Sequence, residues 1–497
     1  MDLVLDGSGP RYLQLSRALK SAIGSGRLPH GSRLPPSRDL AHDIGLSRRT
    51  VVAAYELLRA EGLLKGRVGS GSYVHAPAHS QQRLVSCPAS IRPQSAFAQR
   101  ARMLHDPDNL TGRRHAGNRY AFDVGMPLLD GRITSAWARE VARVAPYLRP
   151  AYPMPQGHPA LREALSAHIT RTRGVRCEAD DLLIVNGTQQ AVSLAARVLV
   201  DDGDEVVFEE PQYYATRRLL QMHGAEIVGV PVDHGGLRVE LLHQHRPKLI
   251  VVTPSHQFPT GAVLSQERRQ ALLDFARQSD AWVLEDDYDG EFRLESSAVA
   301  ALQSQDKEGR VIYVGTFSKT VFPSLRLGYL IMPPALRRDF LAAKWADDFG
   351  SAPLEQRALA NLIKNGTYER HLRTISRKLS GLRDLLLASL RKFCGDSVVA
   401  HPSHAGMHVL VLVPALDASN EDALIRHARG KRLGLYAASP CYLDPPSSVA
   451  LLMGYASMSA KDLVDAVKLF AECLAPFLAG DYRPEHCYGR AETERSA

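Results

Sequence analysis

The segment VIYVGTFSKT, residues 311–320, places a lysine a few positions after a short apolar run. The first four residues of the segment are β-branched or aromatic, which is typical of a buried strand. A lysine at the mouth of an apolar sheet is poorly hydrated, so its pKa falls and its neutral amine can form a Schiff base with an aldehyde. Because most single lysines are solvated surface residues, the interpretation of Lys319 depends on the segments around it.

Apolar runs of similar length recur through the C-terminal three quarters of the chain. They are residues 182–185, 205–208, 249–252, 282–284, 311–314 and 329–332. Amphipathic stretches separate them, and this alternation is typical of an α/β fold whose mostly parallel sheet is buried on both faces. Ligands bind such sheets beyond the carboxyl ends of the strands, so we expect functional side chains directly after the runs.

Polar residues of matching chemistry follow three of these runs. Residues 186–189, Asn-Gly-Thr-Gln, open a helix whose free amides and dipole favour a phosphate. Residues 285–288, Glu-Asp-Asp-Tyr, add carboxylates and a phenol, and Ser318, Lys319 and Arg326 follow the third run. A phosphate cradle, a carboxylate, a phenol, a lysine and an arginine at strand ends are what pyridoxal 5′-phosphate requires. The sequence therefore predicts a site for this cofactor.

The first 75 residues have the pattern of three helices and a hairpin. Apolar residues recur at helical spacing over 12–25, a short helix is expected over 38–44, and Ser47 is the expected N-cap of a third helix. The apolar face of that third helix is formed by Val51, Ala54, Tyr55 and Leu58. Residues 63–74 are expected to form two short strands around a glycine turn. This order predicts a helix-turn-helix with a wing, whose last helix can lie in the major groove of DNA.

The charge distribution favours the same interpretation of the N-terminal part. The net charge is +8, and residues 1–80 hold 11 Lys and Arg but 6 Asp and Glu. Residues 81–120 hold 7 and 2, whereas the remaining residues hold 43 and 45. The excess positive charge therefore lies entirely in the first quarter of the chain, which favours a polyanionic partner there and a different task elsewhere.

Four motifs in the N-terminal part resemble the winged helix of GntR-type regulators. They are GSRLPPSRDLA at 31–41, GLSRRTV at 45–51, AEGL at 60–63 and GSGSYV at 69–74. The resemblance implies that the chain binds double-stranded operator DNA. The residues that it assigns to DNA contact are Arg38, Ser47, Arg48, Arg49, Thr50 and Gly69. Arg33 and Arg67 are added on charge alone, as neighbours of DNA phosphates.

Residues 120–480 resemble the class I aminotransferase-like domain of pyridoxal-phosphate fold type I. With the winged helix, the chain resembles the MocR/GabR subfamily of GntR regulators. The resemblance assigns Lys319 to the Schiff base with pyridoxal 5′-phosphate and Asp286 to the ring nitrogen, with Asp287 as the less favoured choice. The other contacts it implies are Tyr288 with O3′, Tyr213 stacked on the ring, and Gly187, Thr188, Gln189, Ser318 and Arg326 at the phosphate. Tyr152 resembles the tyrosine that reaches the phosphate of the partner subunit.

One departure from the aminotransferase pattern concerns the O3′ side of the cofactor. Those enzymes carry Asn-Pro-Thr-Gly, and the asparagine helps to bind O3′. This chain has His-Gln-Phe-Pro-Thr-Gly at 256–261, so Phe258 replaces the asparagine. We expect His256 or Gln257 to substitute for it.

A second departure concerns the substrate carboxylate. Leu452 stands near the position where aminotransferases place the arginine that binds it, and Ala215 stands where GABA-sensing members carry a further guanidinium. Without these charges we expect weak binding of amino acids unless Arg217, Arg218 or His408 compensates.

The predicted organisation is a multidomain chain. A winged helix-turn-helix domain of the α+β class spans 1–76, a basic linker 77–119, an α/β transferase domain with large and small subdomains 120–480, and a tail 481–497. The linker is expected to be either a flexible tether or an additional source of sequence-independent affinity for DNA.

The function that the sequence favours is a DNA-binding regulator that senses pyridoxal 5′-phosphate or an amine or amino acid, acting as a head-to-tail homodimer. The alternatives are an active class I aminotransferase with an accessory DNA-binding domain, and a DNA-binding protein with an inert C-terminal scaffold. Six scattered cysteines without a C-x-x-C pair favour reduced thiols, a cytoplasmic location and no metal site. No charge-free apolar run approaches the length of a membrane span, so no membrane partner is expected.

Overall fold

The computed structural model describes residues 3–67, 71–75, 94–105, 117–148, 151–292, 300–401 and 406–482. The chain divides into two compact units, Met1–Gln94 and Ser95–Ala497. Within the described ranges no helix has the length and apolarity needed to cross a membrane.

The described part of the N-terminal unit has three helices and a hairpin, as the sequence predicts. The elements are α1 (Arg11–Gly24), α2 (Ser37–Asp43), α3 (Arg48–Ala60), β1 (Leu64–Arg67) and β2 (Gly71–Val74). The four residues predicted for the apolar face of α3 are all buried, and they pack against Leu15 and Leu19 of α1 and Leu40 of α2. Each fully buried aliphatic side chain contributes about 1.5–3 kcal/mol, so this small core holds α3 in a fixed position.

The C-terminal unit is built on an eight-stranded sheet. In spatial order its strands are β4 (Leu182–Val185), β11 (Gly328–Ile331), β10 (Val311–Thr316), β9 (Trp282–Asp287), β8 (Leu249–Val252), β5 (Glu205–Glu210), β6 (Glu226–Asp233) and β7 (Gly236–Leu237). The central pairs from β10 to β6 are parallel, whereas β11 runs antiparallel to both of its neighbours. Five of the six apolar runs of the sequence lie wholly in strands of this sheet, and the sixth, 329–332, extends one residue beyond β11.

Helices cover both faces of this sheet. They are α5 (Gly131–Val144), α6 (Pro159–Arg173), α7 (Thr188–Leu199), α8 (Tyr214–His223), α9 (Gln266–Ser279), α10 (Arg337–Asp348) and α11 (Pro353–Lys364). Strand β4 illustrates the two-sided burial, because Leu182 and Ile184 enter one apolar cluster and Leu183 and Val185 enter another. Side chains alternate between faces along a strand, so a continuous apolar run can serve both cores.

A smaller antiparallel sheet follows the 28-residue helix α12 (Thr367–Cys394). Its order is β12 (Val399–Ala400), β13 (His408–Asp417), β16 (Ser448–Gly454) and β15 (Tyr436–Ala437). The helices α13 (Glu421–Gly430) and α14 (Ala460–Leu478) accompany it, and β3 (Tyr120–Ala121) pairs with β14 (Leu433–Gly434). The predicted division into a large and a small subdomain is confirmed.

Part of the predicted linker is helical. Helix α4 (Ala96–Leu104) lies against α8, where Arg100 forms a 2.7 Å ion pair with Asp202 and donates to the Met222 carbonyl at 3.1 Å. The rings of Phe97 and His223 lie 5.1 Å apart. This part of the linker is therefore anchored on the C-terminal unit, which the sequence pattern did not indicate.

Candidate functional sites

A cavity of about 330 Å³ opens at the carboxyl ends of the large-sheet strands. Eight of the predicted cofactor residues line it: Thr188, Gln189, Tyr213, Asp286, Tyr288, Ser318, Lys319 and Arg326. Gly187 and His256 lie directly behind this lining, next to Arg326 and Tyr288 respectively. The fold thus brings together residues that are more than 130 positions apart in the sequence.

Lys319 lies in the turn that follows β10. Its Nζ donates a hydrogen bond of 2.7 Å to the Gly125 carbonyl. Burial lowers the pKa of Lys319 to about 8, although the nearby Asp289 and Asp286 carboxylates oppose this shift. A larger fraction of this amine is therefore neutral near pH 7 than for a solvated lysine, which is the form that attacks an aldehyde.

Two adjacent aspartates at the end of β9 have different surroundings. Because successive strand residues point to opposite faces, Asp286 faces the cavity and Asp287 faces away. Asp287 accepts hydrogen bonds from Arg173 at 2.7 Å and from the Tyr313 hydroxyl at 2.5 Å. Asp287 is thus already hydrogen-bonded by protein groups, whereas Asp286 is the aspartate of this pair that is available to a ligand in the cavity.

Asp286 is a buried carboxylate whose Oδ1 has no hydrogen-bond partner among the described residues. Burial, followed by the nearby Asp287 and Asp289 charges, raises the pKa of Asp286 to about 7. An unpaired buried polar atom is costly and rare, and it is explained when a ligand provides the partner. A protonated ring nitrogen is such a partner, so this carboxylate fits a pyridine cofactor.

The phenol of Tyr288 belongs to a buried hydrogen-bonded group. His256 Nδ1 lies 2.8 Å from the Tyr288 hydroxyl and 2.7 Å from Asp289 Oδ2. His256 therefore contacts the phenol that the family resemblance assigns to O3′. Gln257 instead donates to the carbonyls of Pro211 and Phe258, so the structure favours His256 over Gln257 at this position.

The phosphate end of the cavity combines a helix start with a guanidinium. Gly187 has φ = 80° and precedes α7, and a Cβ placed there would lie 2.7 Å from Arg326 Nη2. Arg326 Nη2 donates to the Asn186 carbonyl at 3.0 Å. A side chain at position 187 would therefore push the guanidinium away from the first amides of α7. The free amides and dipole of a helix start favour an anion, so this end fits a phosphate.

The surroundings of Leu452, near the position where aminotransferases carry a carboxylate-binding arginine, are apolar. Leu452 lies on β16 opposite Leu410, in a cluster that includes Phe258 and Ala450. Arg217 donates to the carbonyls of Pro440 and Tyr442, at 2.8 and 3.0 Å. Arg217 is thus committed to the backbone and does not replace the missing charge.

The two other residues expected to compensate differ in position. The Arg218 guanidinium lies over the Tyr214 ring, 5.3 Å from its centroid, and is absent from the cavity lining. His408, at the start of β13, lines the cavity. Of the three candidates, only His408 belongs to the cavity lining.

Several lining residues were not predicted from the sequence: Gly125, Met126, Thr216, Asp289 and Met407. Asp289 belongs to the same acid-dense run as Asp286, and this density was a usable signal. The others lie outside the strand-end motifs, so only the fold reveals them.

Tyr152 does not line the cavity. It is 90% exposed, and its ring centroid lies 6.2 Å from that of Phe349. Its assignment to the phosphate of a second subunit remains a prediction.

The start of α3 forms the candidate nucleic-acid interface. Ser47 accepts a hydrogen bond of 3.1 Å from the Thr50 amide, which confirms it as the N-cap. Arg48 and Arg49 follow in the first turn and are exposed, and Arg38 is exposed on α2. Because these three arginines are exposed, they are accessible to a DNA groove.

The wing supplies fewer observations. Arg33 is exposed, and its backbone forms an isolated antiparallel β-bridge with that of Tyr73 in β2. Gly69 and the side chain of Arg67 lie outside the described residues, so their predicted DNA contacts remain predictions.

Comparisons with known proteins agree with both halves of the architecture. Residues 121–468 match the family described as aminotransferase class I and II, and residues 11–74 match the bacterial regulatory proteins of the gntR family. The chain is 35% identical over 472 residues to the probable rhizopine catabolism regulatory protein MocR of Rhizobium meliloti, covering 94% of each chain. It is 37% identical over 336 residues to the HTH-type transcriptional regulator TauR of Rhodobacter capsulatus, covering 66% of this chain and 68% of that protein.

Among solved structures, the multiple substrate aminotransferase of Thermococcus profundus superposes with a TM-score of 0.68 at 22% identity, covering 78% of this chain and 97% of that one. This likeness shows the fold of the C-terminal unit. The extent of the MocR match and the presence of both domains show that the chain belongs to the MocR-type GntR transcription regulators, which join a helix-turn-helix domain to an aminotransferase-like domain.

Proposed function

We propose that this transcription regulator holds pyridoxal 5′-phosphate at Lys319 and that occupancy of the cavity alters its affinity for operator DNA. The observation that carries the proposal is the unpaired, buried Asp286 Oδ1 in the same cavity as the lysine of lowered pKa. The protein supplies no hydrogen-bond partner for that oxygen within its described part, and the cofactor ring nitrogen would provide one.

When bound, pyridoxal 5′-phosphate supplies an aldehyde that combines with amines and a ring that accepts electrons. Lys319 presents a partly neutral amine, and Asp286 holds a proton at the ring nitrogen. Tyr288 offers its hydroxyl to O3′, with His256 behind it. The residues proposed for the phosphate are Gly187, Thr188, Gln189, Ser318 and Arg326, and Tyr213 is proposed for the ring face.

For DNA, we propose that Arg48 and Arg49 contact base edges while Ser47, Thr50 and Arg38 contact phosphates. Arg33, Arg67 and Gly69 would lie along the backbone at the wing. An arginine can form two hydrogen bonds to one guanine, so base contacts by the α3 arginines would carry sequence information.

The proposed assembly is a head-to-tail homodimer in which Tyr152 approaches the phosphate of the other subunit. The high exposure of this aromatic side chain in a single chain supports that role. Because the operator of a bacterial regulator lies in the cytoplasm, we propose that location for the protein.

An active aminotransferase is the second candidate, supported by the complete lysine, aspartate and tyrosine set in the cavity. The apolar surroundings of Leu452 oppose it, because an amino-acid substrate would meet no guanidinium there. Turnover of amino acids and 2-oxoglutarate into keto acid by the purified protein would favour this candidate over a sensor.

The test is reductive trapping with borohydride followed by peptide mass spectrometry. We expect a phosphopyridoxyl adduct on Lys319 and none in Lys319→Ala, with Lys364→Ala, a surface lysine, as the matched control. DNA affinity is then measured with a duplex selected by the protein from a random pool, in the presence and absence of the cofactor. An adduct on no lysine, or on a different one, would contradict the proposal.

A further inference from the structure

His408 stands out as a buried polar side chain in the cavity wall that the proposed cofactor contacts do not use. Its residue is 4% exposed, and it lines the cavity at the first position of β13. Its Nε2 has no hydrogen-bond partner among the described residues, while the ring bonds to the Pro259 carbonyl. Since Nε2 has no such partner, the bond to Pro259 is made by Nδ1. This nitrogen must carry the proton, because a carbonyl only accepts a hydrogen bond. Nε2 is then an acceptor with no donor.

The surroundings of His408 are mostly uncharged. Its ring centroid lies 4.9 Å from that of Phe258, and Phe258 and Met407 line the cavity beside it. Burial is the main cause that lowers the pKa of His408 to about 3, and the neighbouring His256 and Lys319 act in the same direction, so the ring remains neutral at physiological pH. An apolar wall with a neutral acceptor offers nothing to a carboxylate.

The charged groups of the cavity reinforce this selectivity. Within the described lining, the cations are Lys319 and Arg326, which the proposed function assigns to the aldehyde and the phosphate. The remaining charged groups are the carboxylates of Asp286 and Asp289. An effector carboxylate would therefore be desolvated and left without a free cation. An effector with a second ammonium group would have to bury that charge beside His408 in an apolar wall, at a high cost in free energy.

We propose that His408 Nε2 accepts a hydrogen bond from a hydroxyl group of the effector, so that the cavity selects primary amines that carry a hydroxyl over amino acids. This inference rests on the proposed cofactor site, because the amine is the group that an aldehyde beside Lys319 accepts. The hydroxyl satisfies the unpaired nitrogen, and the carbon chain packs on Phe258 and Met407, which line the cavity beside it.

The test uses matched probes on the cofactor-loaded, full-length protein. Ethanolamine, propylamine and glycine form one series, and 3-amino-1-propanol, butylamine and β-alanine form a longer one. Dissociation constants are measured by calorimetry. In at least one series we expect the hydroxyl probe to bind about tenfold more tightly than the methyl probe, the effect of one hydrogen bond, with the carboxylate probe weakest.

Variants then locate the preference. His408→Phe keeps an aromatic ring without the acceptor and should bind the hydroxyl and methyl probes equally, while His408→Gln offers an amide oxygen and should restore part of the difference. Cofactor absorbance and the thermal midpoint report whether each variant is folded and loaded.

The outcomes separate the two proposals. If the carboxylate probes bind most tightly, or His408→Phe keeps the preference for hydroxyl, the inference is overturned while the cofactor site stands. If the wild-type protein gives no adduct at Lys319, the proposed function fails and the inference fails with it. The wild-type probe ranking remains decisive even if a variant does not fold.

Discussion

The start of α3, proposed to read DNA, and the cavity around Lys319 place their charges in opposite environments. Arg48 and Arg49 are exposed and contribute nothing to the small core beneath them. Asp286 and Lys319 are buried, and burial raises the pKa of Asp286 and lowers that of Lys319, so the neutral form of each is favoured. The binding groups on the α3 face therefore contribute little to the free energy of unfolding, whereas the buried charges of the cavity lower it.

This difference teaches how affinity and stability are linked in each region. A substitution on the exposed face should change affinity for DNA and leave the free energy of unfolding unchanged. A substitution in the cavity should change both, and often in opposite directions, because a group kept ready for a ligand is costly without it.

The largest expected effect on stability follows substitution of Asp287, the aspartate whose hydrogen-bond partners are protein groups. Asp287→Asn leaves the Arg173 guanidinium buried without its carboxylate, and we expect a loss of about 3–5 kcal/mol in the free energy of unfolding of the C-terminal unit. Urea unfolding followed by circular dichroism measures it. Asp280→Asn, which breaks the pair with Arg310 on an 83% exposed aspartate, should cost under about 1 kcal/mol. Equal losses would show that burial does not distinguish these pairs.

Asp286→Asn should have the opposite sign in the protein without cofactor. The raised pKa of Asp286, about 7 against 3.8, means that folding favours the protonated form, so this carboxyl loses stability as the pH rises between those values. The variant should therefore be more stable than wild type by roughly 2–4 kcal/mol at pH 8, with the difference shrinking toward pH 4.

The same variant should bind pyridoxal 5′-phosphate about 10- to 100-fold more weakly, because a charged hydrogen bond is lost. Titration of the cofactor absorbance measures this affinity, and urea unfolding at pH 5 and pH 8 measures the stability. A variant that is less stable than wild type at pH 8 would contradict the assignment of Asp286 as the carboxyl kept ready for a ligand.

Sequence patterns predicted the elements well where one physical signal dominates. The apolar face of α3 and the runs at β4 and β8 were found to the residue, because periodicity reports burial directly. The antiparallel direction of β11 was not predicted, because an apolar run does not encode its direction. The helix α4 was missed because its stability comes from contacts with α8 rather than from its own periodicity.

The site shows the same limit. The motifs gathered most of the cavity lining, yet they could not finally separate Asp286 from Asp287, since adjacent residues share one motif. Only strand geometry assigns one to each face. The acceptor role of His408 was equally hidden, because it depends on the distant Pro259 carbonyl.

A smaller effect is expected on the exposed face of α3. Arg48→Ala should weaken operator binding by about 1–3 kcal/mol and leave the unfolding free energy of the N-terminal unit unchanged. Fluorescence anisotropy with the selected duplex measures the first, and Arg11→Ala, which removes the same charge from an exposed position on α1, is the control. If both variants lose the same affinity, the loss reflects net charge and the base contact is wrong.

The smallest expected effect concerns Ser47, the residue of the α3 face that is expected to contribute both to stability and to DNA binding. Ser47 caps α3 through the Thr50 amide, so Ser47→Ala should cost about 1 kcal/mol of stability in the N-terminal unit. Ser265 caps α9 through the Arg268 amide, so Ser265→Ala should cost a similar amount in the C-terminal unit. DNA affinity should fall for Ser47→Ala, because its hydroxyl is also proposed to contact a phosphate, and should be unchanged for Ser265→Ala. If Ser47→Ala loses stability but keeps its affinity, then Ser47 only shapes the helix and the DNA contact belongs to its neighbours.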